Sequence, residues 1–95
     1  ILIGRDAFKQ TDPYKKGEKI SGLTPLQRYF LGYALGWMYN IRQEQLASMV
    51  LTDVHSPAKF RVNGPMPNVP EFYEAFNVKP GNKMYLPDSM RVRLW

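Results

Sequence analysis

The sequence predicts a mainly α-helical protein with short extended segments, and two observations support this fold class. Apolar side chains recur at helical spacing through residues 24–40, where Leu26, Phe30, Tyr33 and Trp37 share one face. Shorter amphipathic stretches follow, each near residues that favour a helix start or a turn. Only brief runs alternate as strands do, so helices are expected to dominate.

The bulk composition is that of one small globular domain. The 95 residues are 44% hydrophobic and 22% charged, which excludes a disordered chain. The net charge is +5, but the basic residues are scattered and the longest basic run is Lys15-Lys16, so no nucleic-acid-binding stripe is predicted. The chain has no cysteine, which excludes disulfides and thiolate metal sites. No apolar run approaches the roughly 18 residues of a membrane span.

The N-terminal third is predicted as the end of a helix followed by a loop. Residues 1–10 are helical in character, and Asp12-Pro13 is expected to break that helix. The polar residues 14–22 are then expected to form an exposed loop. Because Ile1-Leu2-Ile3 resembles the interior of an element already under way, we expect the chain to be cut from a longer polypeptide.

The strongest predicted helix begins at Thr24, which suits an N-cap, and Pro25, which suits the first helical position. It is expected to end at Tyr39 or Asn40. Its apolar residues cover nearly all sides, which is typical of a helix buried by neighbours. Since 95 residues cannot easily surround such a helix, a larger body is expected around it.

Shorter elements are predicted downstream. Asn68 and Glu71 form a capping-box pattern at the start of the last helix. The expected elements are an amphipathic helix over 42–51, a turn over 53–57, a short strand over 59–63, a helix over 69–76 and an extended tail over 90–95.

His55, the only histidine, is the first candidate for chemistry. Asp53 lies two residues earlier, so in an extended stretch both side chains point the same way. The carboxylate could then accept a proton from one ring nitrogen and leave the other N–H for a ligand. The plainer alternative is that Asp53 caps the preceding region. Arg61 either faces solvent or serves as a fork-shaped donor in a cleft.

The sequence contains none of the common short motifs of catalytic or nucleotide-binding sites. The chain has no HExxH, P-loop, GxSxG or GxGxxG motif. A zinc site needs several His, Cys or acidic ligands, and Glu71 and Glu74 have no histidine at a ligand spacing. The chain by itself is therefore not expected to bind a metal or to catalyse a reaction.

Residues 52–64, with the sequence TDVHSPAKFRVNG, resemble the neprilysin and endothelin-converting-enzyme family of zinc endopeptidases. The resemblance extends over nearly the whole chain. It includes LTPLQRYFLG at 23–32 with the following Trp37, EFYEAF at 71–76 and VRLW at 92–95. It implies that residues 1–95 are the helical C-terminal segment of a gluzincin-type catalytic domain.

The resemblance also implies roles for five residues. His55 matches the histidine that donates a hydrogen bond to the oxyanion, and Asp53 matches the acid that orients it. Arg61 matches the arginine that binds a substrate carbonyl beside the scissile bond. Gly36 and Trp37 match the wall of the pocket for the residue after that bond. Zinc is implied for the full-length enzyme, on upstream HExxH and glutamate ligands, and none for this segment.

The resemblance further implies a compartment and partners. Vertebrate relatives carry cysteines where this chain has Met38, Val78 and Val92, which fits a bacterial member. The family works mostly outside the cytosol, so the cell envelope or periplasm is expected. The expected partners are a peptide substrate and the remainder of the catalytic domain. Self-association through apolar surface in the 24–40 region is also expected. Neither nucleic-acid binding nor a membrane segment is expected for this chain.

Two other functions are alternatives to a peptidase segment. A helix-turn-helix DNA-binding module would use the short turn over 39–42, but the exposed face of the second helix offers only Arg42 as a positive charge. The other alternative is a scaffold or interaction domain that keeps the peptidase fold without activity. The presence or loss of HExxH upstream would decide between this alternative and an enzyme.

Overall fold

The structure is a computed structural model that describes residues 1–93, and it confirms the mainly α-helical prediction. A single antiparallel bridge, between Ile20 and Leu23, is the only β pairing in this part of the chain. No helix in residues 1–93 has the length and apolar character needed to cross a bilayer. The helices are α1 (Leu2–Lys9), α2 (Asp12–Lys16), α3 (Pro25–Leu35), α4 (Gln43–Thr52), α5 (Ala58–Asn63) and α6 (Pro70–Phe76), with 3-10 turns at Met66–Asn68 and Asp88–Met90.

The core forms where α3 packs on α6. Phe30 of α3 is 1% exposed, and its ring meets Phe72 edge-on at 5.8 Å between centroids. Met66 and Val69, from the turn before α6, complete the buried set. Edge-to-face aromatic contacts of this kind add to the gain from burying the rings. α3 and α6 therefore form the central pair of helices around which the core is built.

The start of α3 is as predicted, but its end is not. The Gln27 N–H donates to the Thr24 hydroxyl at 3.2 Å, and the Gln27 side chain accepts from the Thr24 N–H at 3.0 Å. The helix ends at Leu35 rather than at residue 39 or 40. The Trp37 N–H bonds the carbonyl three residues back at 3.0 Å, so the last turn tightens and the chain leaves the helix.

Asp12-Pro13 ends the first helix, as expected, but it also begins a second one. Proline loses no hydrogen bond in the first turn of a helix, so α2 begins at this pair. The predicted loop over 14–22 therefore starts only at Gly17, whose φ of 67° is left-handed. The prediction for 42–51 is confirmed to within one residue by α4.

The predicted strand over 59–63 is wrong, because these residues form α5. The Pro57 carbonyl accepts the N–H groups of Phe60 at 3.0 Å and Arg61 at 3.2 Å, which starts a helical turn. Strand propensity depends on pairing with a neighbouring strand, and the described chain offers none here. α5 ends at Asn63, and Gly64 follows as its C-cap, where an added β-carbon would lie 2.6 Å from the Phe60 carbonyl oxygen.

The predicted capping box at Asn68 and Glu71 is also wrong. Val69 is the N-cap of α6 and makes no side-chain cap bond. The Asn68 amide instead donates to the Gly64 carbonyl at 3.0 Å and accepts the Val92 N–H at 2.7 Å. Asn68 therefore connects the end of α5 to the C-terminal tail.

The predicted extended tail over 90–95 begins one residue late, because Met90 belongs to a 3-10 turn. Arg91 is extended, and its guanidinium lies 3.8 Å from the centre of the Tyr73 ring. Its Nε–H donates to the Leu86 carbonyl at 2.7 Å. The tail is thus held against α6, and residues 94–95 lie outside the described part of the chain.

Candidate active site

Four of the five predicted site residues line one open cleft of about 310 Å³. Trp37 comes from the end of α3, Asp53 and His55 follow α4, and Arg61 lies on α5. Gly36 is not part of the lining. The cleft is completed by Tyr39, Met49, Ser56 and Ala58.

Asp53 and His55 are joined by two hydrogen bonds to the same carboxylate oxygen. The Oδ1 atom of Asp53 accepts the backbone N–H of His55 at 2.8 Å and lies 3.0 Å from its ring Nδ1. Asp53 is extended, with φ −85° and ψ 134°, so the two-residue spacing brings both side chains to one side. The carboxylate thus shapes the local turn and orients the imidazole at the same time.

The electrostatics keep Asp53 ionised. Hydrogen bonds from the backbone and side chain of His55 lower the pKa of Asp53, against a small opposing effect of burial. The positive charges of His55 and Arg61 lower this pKa further. With Nδ1–H given to the carboxylate, a second donor at Nε2 requires the doubly protonated ring.

Arg61 enters the cleft from α5 and packs against Trp37. Its guanidinium carbon lies 4.5 Å from the centre of the Trp37 ring, in cation–π geometry. A helix rises about 1.5 Å per residue and a strand about 3.3 Å, so the helical backbone brings Arg61 closer to His55 than the predicted strand would. The helix that stands in place of the predicted strand therefore helps to assemble the cleft.

Gly36 precedes Trp37 and has ordinary right-handed helical angles, with φ −61° and ψ −19°. A β-carbon there would meet only the Tyr33 carbonyl oxygen, at 3.5 Å, which is normal contact. The backbone therefore does not require glycine at this position.

Tyr33 bonds a residue of the cleft, although the sequence indicated it only as part of a helical face. Its hydroxyl donates to the backbone carbonyl of Arg61 at 3.1 Å. The spacing was an available signal, because the predicted helix over 24–40 places Tyr33 on one face with Trp37, four residues later.

Within residues 1–93 no group of possible metal ligands comes together. No three His, Cys, Asp or Glu side chains in this range lie close enough to share an ion. Zinc sites in proteins use three or four such ligands. Asp53 and His55, the two such side chains that line the cleft, bond to each other.

The chain is similar to known peptidases over most of its length. The family model described as Peptidase family M13 matches residues 2–92. Membrane metallo-endopeptidase-like 1 of Mus musculus is 39% identical over 82 residues, which cover 84% of this chain and 10% of that protein. Neutral endopeptidase of Lactococcus lactis is 39% identical over 70 residues, which cover 74% of this chain and 11% of that protein.

A solved structure has the same fold. Zinc metalloprotease ZMP1 of Mycobacterium tuberculosis, in complex with an inhibitor, superposes with a TM-score of 0.83 at 35% identity. The match covers 99% of this chain and 14% of that protein. The matched region thus spans between 8% and 14% of the length of these and other relatives.

Proposed function

Since this chain belongs to peptidase family M13, we propose that it is the C-terminal segment of the catalytic domain of a longer zinc endopeptidase. The family match confirms the resemblance drawn from residues 52–64. The small share of its relatives that the chain covers supports a longer parent. In this proposal the parent hydrolyses peptide bonds, and the segment contributes groups that bind the peptide and stabilise charge.

The zinc ion of the parent belongs to residues outside this chain. When bound, such an ion activates a water molecule and polarises the peptide carbonyl. The segment alone is therefore expected to be inactive. Its own residues act on the substrate from the cleft that they line.

His55 is the proposed oxyanion donor, and the observation that carries this role is its pairing with Asp53 in the cleft that also holds Arg61. The bond from Nδ1–H to the carboxylate fixes the orientation of the ring. In the doubly protonated ring, the Nε2–H on the opposite edge is then available to a substrate oxygen. Negative charge appears on the peptide oxygen as the tetrahedral intermediate forms. A preplaced donor stabilises that charge without reorganisation, which is worth about 100- to 1,000-fold in rate.

Arg61 is the proposed binder of the peptide carbonyl beside the scissile bond. Its planar fork suits carbonyl oxygens, and packing on Trp37 limits the directions the fork can take. Fixing the peptide in this way lowers the entropic part of the barrier. Trp37 and Gly36 are proposed to form the wall of the pocket for the residue after the cleaved bond.

The proposed partners are a peptide substrate and the remainder of the catalytic domain. Kinship with a membrane metallo-endopeptidase-like protein supports a parent that works outside the cytosol, in the cell envelope or periplasm.

The test is His55→Ala in the full-length parent, with zinc content measured alongside peptide cleavage. We expect kcat to fall about 100- to 1,000-fold with little change in KM, because the lost bond forms mainly in the transition state. Lys59→Ala is the control, since Lys59 lies on α5 but lines a different cleft. A His55→Ala enzyme with full zinc content and unchanged kcat would contradict the role.

A further inference from the structure

Tyr33 connects two helices at the edge of the cleft. Its hydroxyl, on α3, donates a hydrogen bond to the backbone carbonyl of Arg61, on α5, at 3.1 Å. The two residues are 28 positions apart in the sequence, so this bond sets a tertiary relation between the helices. It fastens the backbone of the residue whose guanidinium enters the cleft.

The Arg61 carbonyl needs a donor from outside its own helix. The carbonyls in the last turn of a helix have no intrahelical partner unless the chain continues. The Phe60 carbonyl is satisfied by the Gly64 N–H at 2.9 Å. The residue placed to serve Arg61 in the same way is Pro65, which has no N–H. The Tyr33 hydroxyl takes the place of the missing donor.

A second anchor lies one helical turn further along. Trp37, four residues after Tyr33, contacts the guanidinium of Arg61 at 4.5 Å. Trp37 lies in the tightened turn that follows α3, so α3 and this turn hold Arg61 at its backbone and at its guanidinium. Tyr33 holds the backbone, and Trp37 holds the charged group. Two fixed points leave the arginine side chain little freedom to swing.

From this arrangement, and resting on the proposed function of Arg61, we propose that Tyr33 is a positioning residue for peptide binding. Its hydroxyl sets the last turn of α5 and thereby the direction in which Arg61 presents its guanidinium to a substrate carbonyl. Tyr33 itself does not touch the substrate. Displacement of a binding group by about 1 Å is enough to weaken its contact with a peptide.

The kinetic test is Tyr33→Phe in the full-length parent, which keeps the ring and removes only the hydroxyl. We expect KM for a peptide to rise about three- to tenfold with kcat within about twofold, in line with the loss of one hydrogen bond. The same change in an Arg61→Ala background should have no further effect on KM, because the hydroxyl acts only through Arg61.

Tyr29→Phe is the matched control. Tyr29 lies one turn earlier on the same helix and also donates to a backbone carbonyl, that of Ile1, at 2.5 Å. It does not line the cleft. Removing the Tyr29 hydroxyl should lower the free energy of unfolding by about as much as removing that of Tyr33, but leave KM unchanged. This control therefore separates positioning of Arg61 from a general loss of stability.

A second measurement does not depend on activity. In the parent labelled with 5-fluorotryptophan, the fluorine signal of Trp37 is assigned by its loss in Trp37→Phe. We expect Tyr33→Phe to shift this signal in the same direction as Arg61→Ala, while Tyr29→Phe leaves it in place. An unmoved Trp37 signal in Tyr33→Phe would overturn the positioning role, whatever the kinetics.

The kinetic outcomes separate this inference from the proposed function. A rise in KM for Arg61→Ala, together with wild-type KM for Tyr33→Phe, overturns the positioning role alone. An equal effect of Tyr33→Phe with and without Arg61 also overturns it. If Arg61→Ala itself leaves KM unchanged, the proposed role of Arg61 fails, and the role of Tyr33 fails with it.

Discussion

At the scale of single residues, the Asp53 carboxylate serves two purposes at once. One oxygen accepts the backbone N–H that forms the turn and also contacts the ring of His55. The turn and the orientation of the imidazole are therefore parts of one arrangement. Because the spacing is only two residues, this geometry is local and needs no distant contact.

Gly36 offers a test of the pocket at the same scale. In the full-length parent, Gly36→Val should be tolerated in stability, because the backbone angles are ordinary and a β-carbon meets only normal contact. If Gly36 belongs to the wall of the pocket, the added side chain narrows it. Peptides with a small residue after the cleaved bond should then be favoured over those with Phe by about tenfold or more relative to wild type.

The control is Gly32→Val, one turn earlier on α3, where an added β-carbon meets nothing within 4 Å. It should leave the preference between small and large residues as it is. An unchanged preference in Gly36→Val would remove Gly36 from the pocket wall.

At the scale of elements, α1 and α6 are joined by ion pairs centred on Glu71. Its carboxylate accepts from Arg5 at 3.1 Å and from Lys9 at 2.8 Å, and its side chain is 16% exposed. Burial opposes ionisation of Glu71, but the hydrogen bond from Lys9 and the charges of Arg5 and Lys9 outweigh it and lower its pKa. The sequence predicted that the Glu71 carboxylate would instead cap its own helix.

We expect Glu71→Gln to lower the free energy of unfolding at pH 7 by about 1–2 kcal/mol, because charged hydrogen bonds are lost. A lowered folded-state pKa means that the stabilisation is complete above the ordinary value of 4.5 and disappears as the pH falls through the lowered value. Urea unfolding of wild type and variant at pH 7 and at stepwise lower pH measures this difference.

Glu74→Gln is the matched control, since Glu74 is exposed on the same helix. It should change stability by much less than Glu71→Gln. A Glu71→Gln difference that persists unchanged at the lowest pH would show that the ion pairs are not its source.

At the scale of the whole molecule, the chain is more open than an independent domain of its size. Its radius of gyration is 15.4 Å, whereas a compact chain of this length has about 12 Å. Its accessible surface is 7202 Å², against about 5,600 Å² for a folded monomer of this mass. Large apolar side chains such as Leu35 and Met38 are 65% and 72% exposed. These features favour a chain that packs against a larger body.

The isolated chain is therefore expected to self-associate through the 24–40 region. Sedimentation velocity over a range of concentrations should show species larger than a monomer. Replacing Leu35 and Met38 by Glu should shift the distribution toward monomer, because charge disfavours burying this surface. Ile20→Glu, at an exposed position outside that region, is the control. A clean monomer at all concentrations would contradict the prediction.

Several features followed from sequence alone because their causes are local. The start of α3 depends on Thr24 and Gln27, which are three residues apart. The pairing of Asp53 with His55 depends on a spacing of two. The resemblance over residues 52–64 likewise identified the family, because short blocks of sequence are enough to recognise a relative.

The remaining features were decided by contacts between residues far apart in the chain. Residues 59–63 became a helix because no strand in the described chain pairs with them, and Glu71 found partners in α1 instead of capping its own helix. The hydrogen bond from Tyr33 of α3 to the Arg61 carbonyl joins positions 28 residues apart. Local patterns do not encode such partners, since the free energy of each contact depends on which surfaces the folded chain brings together.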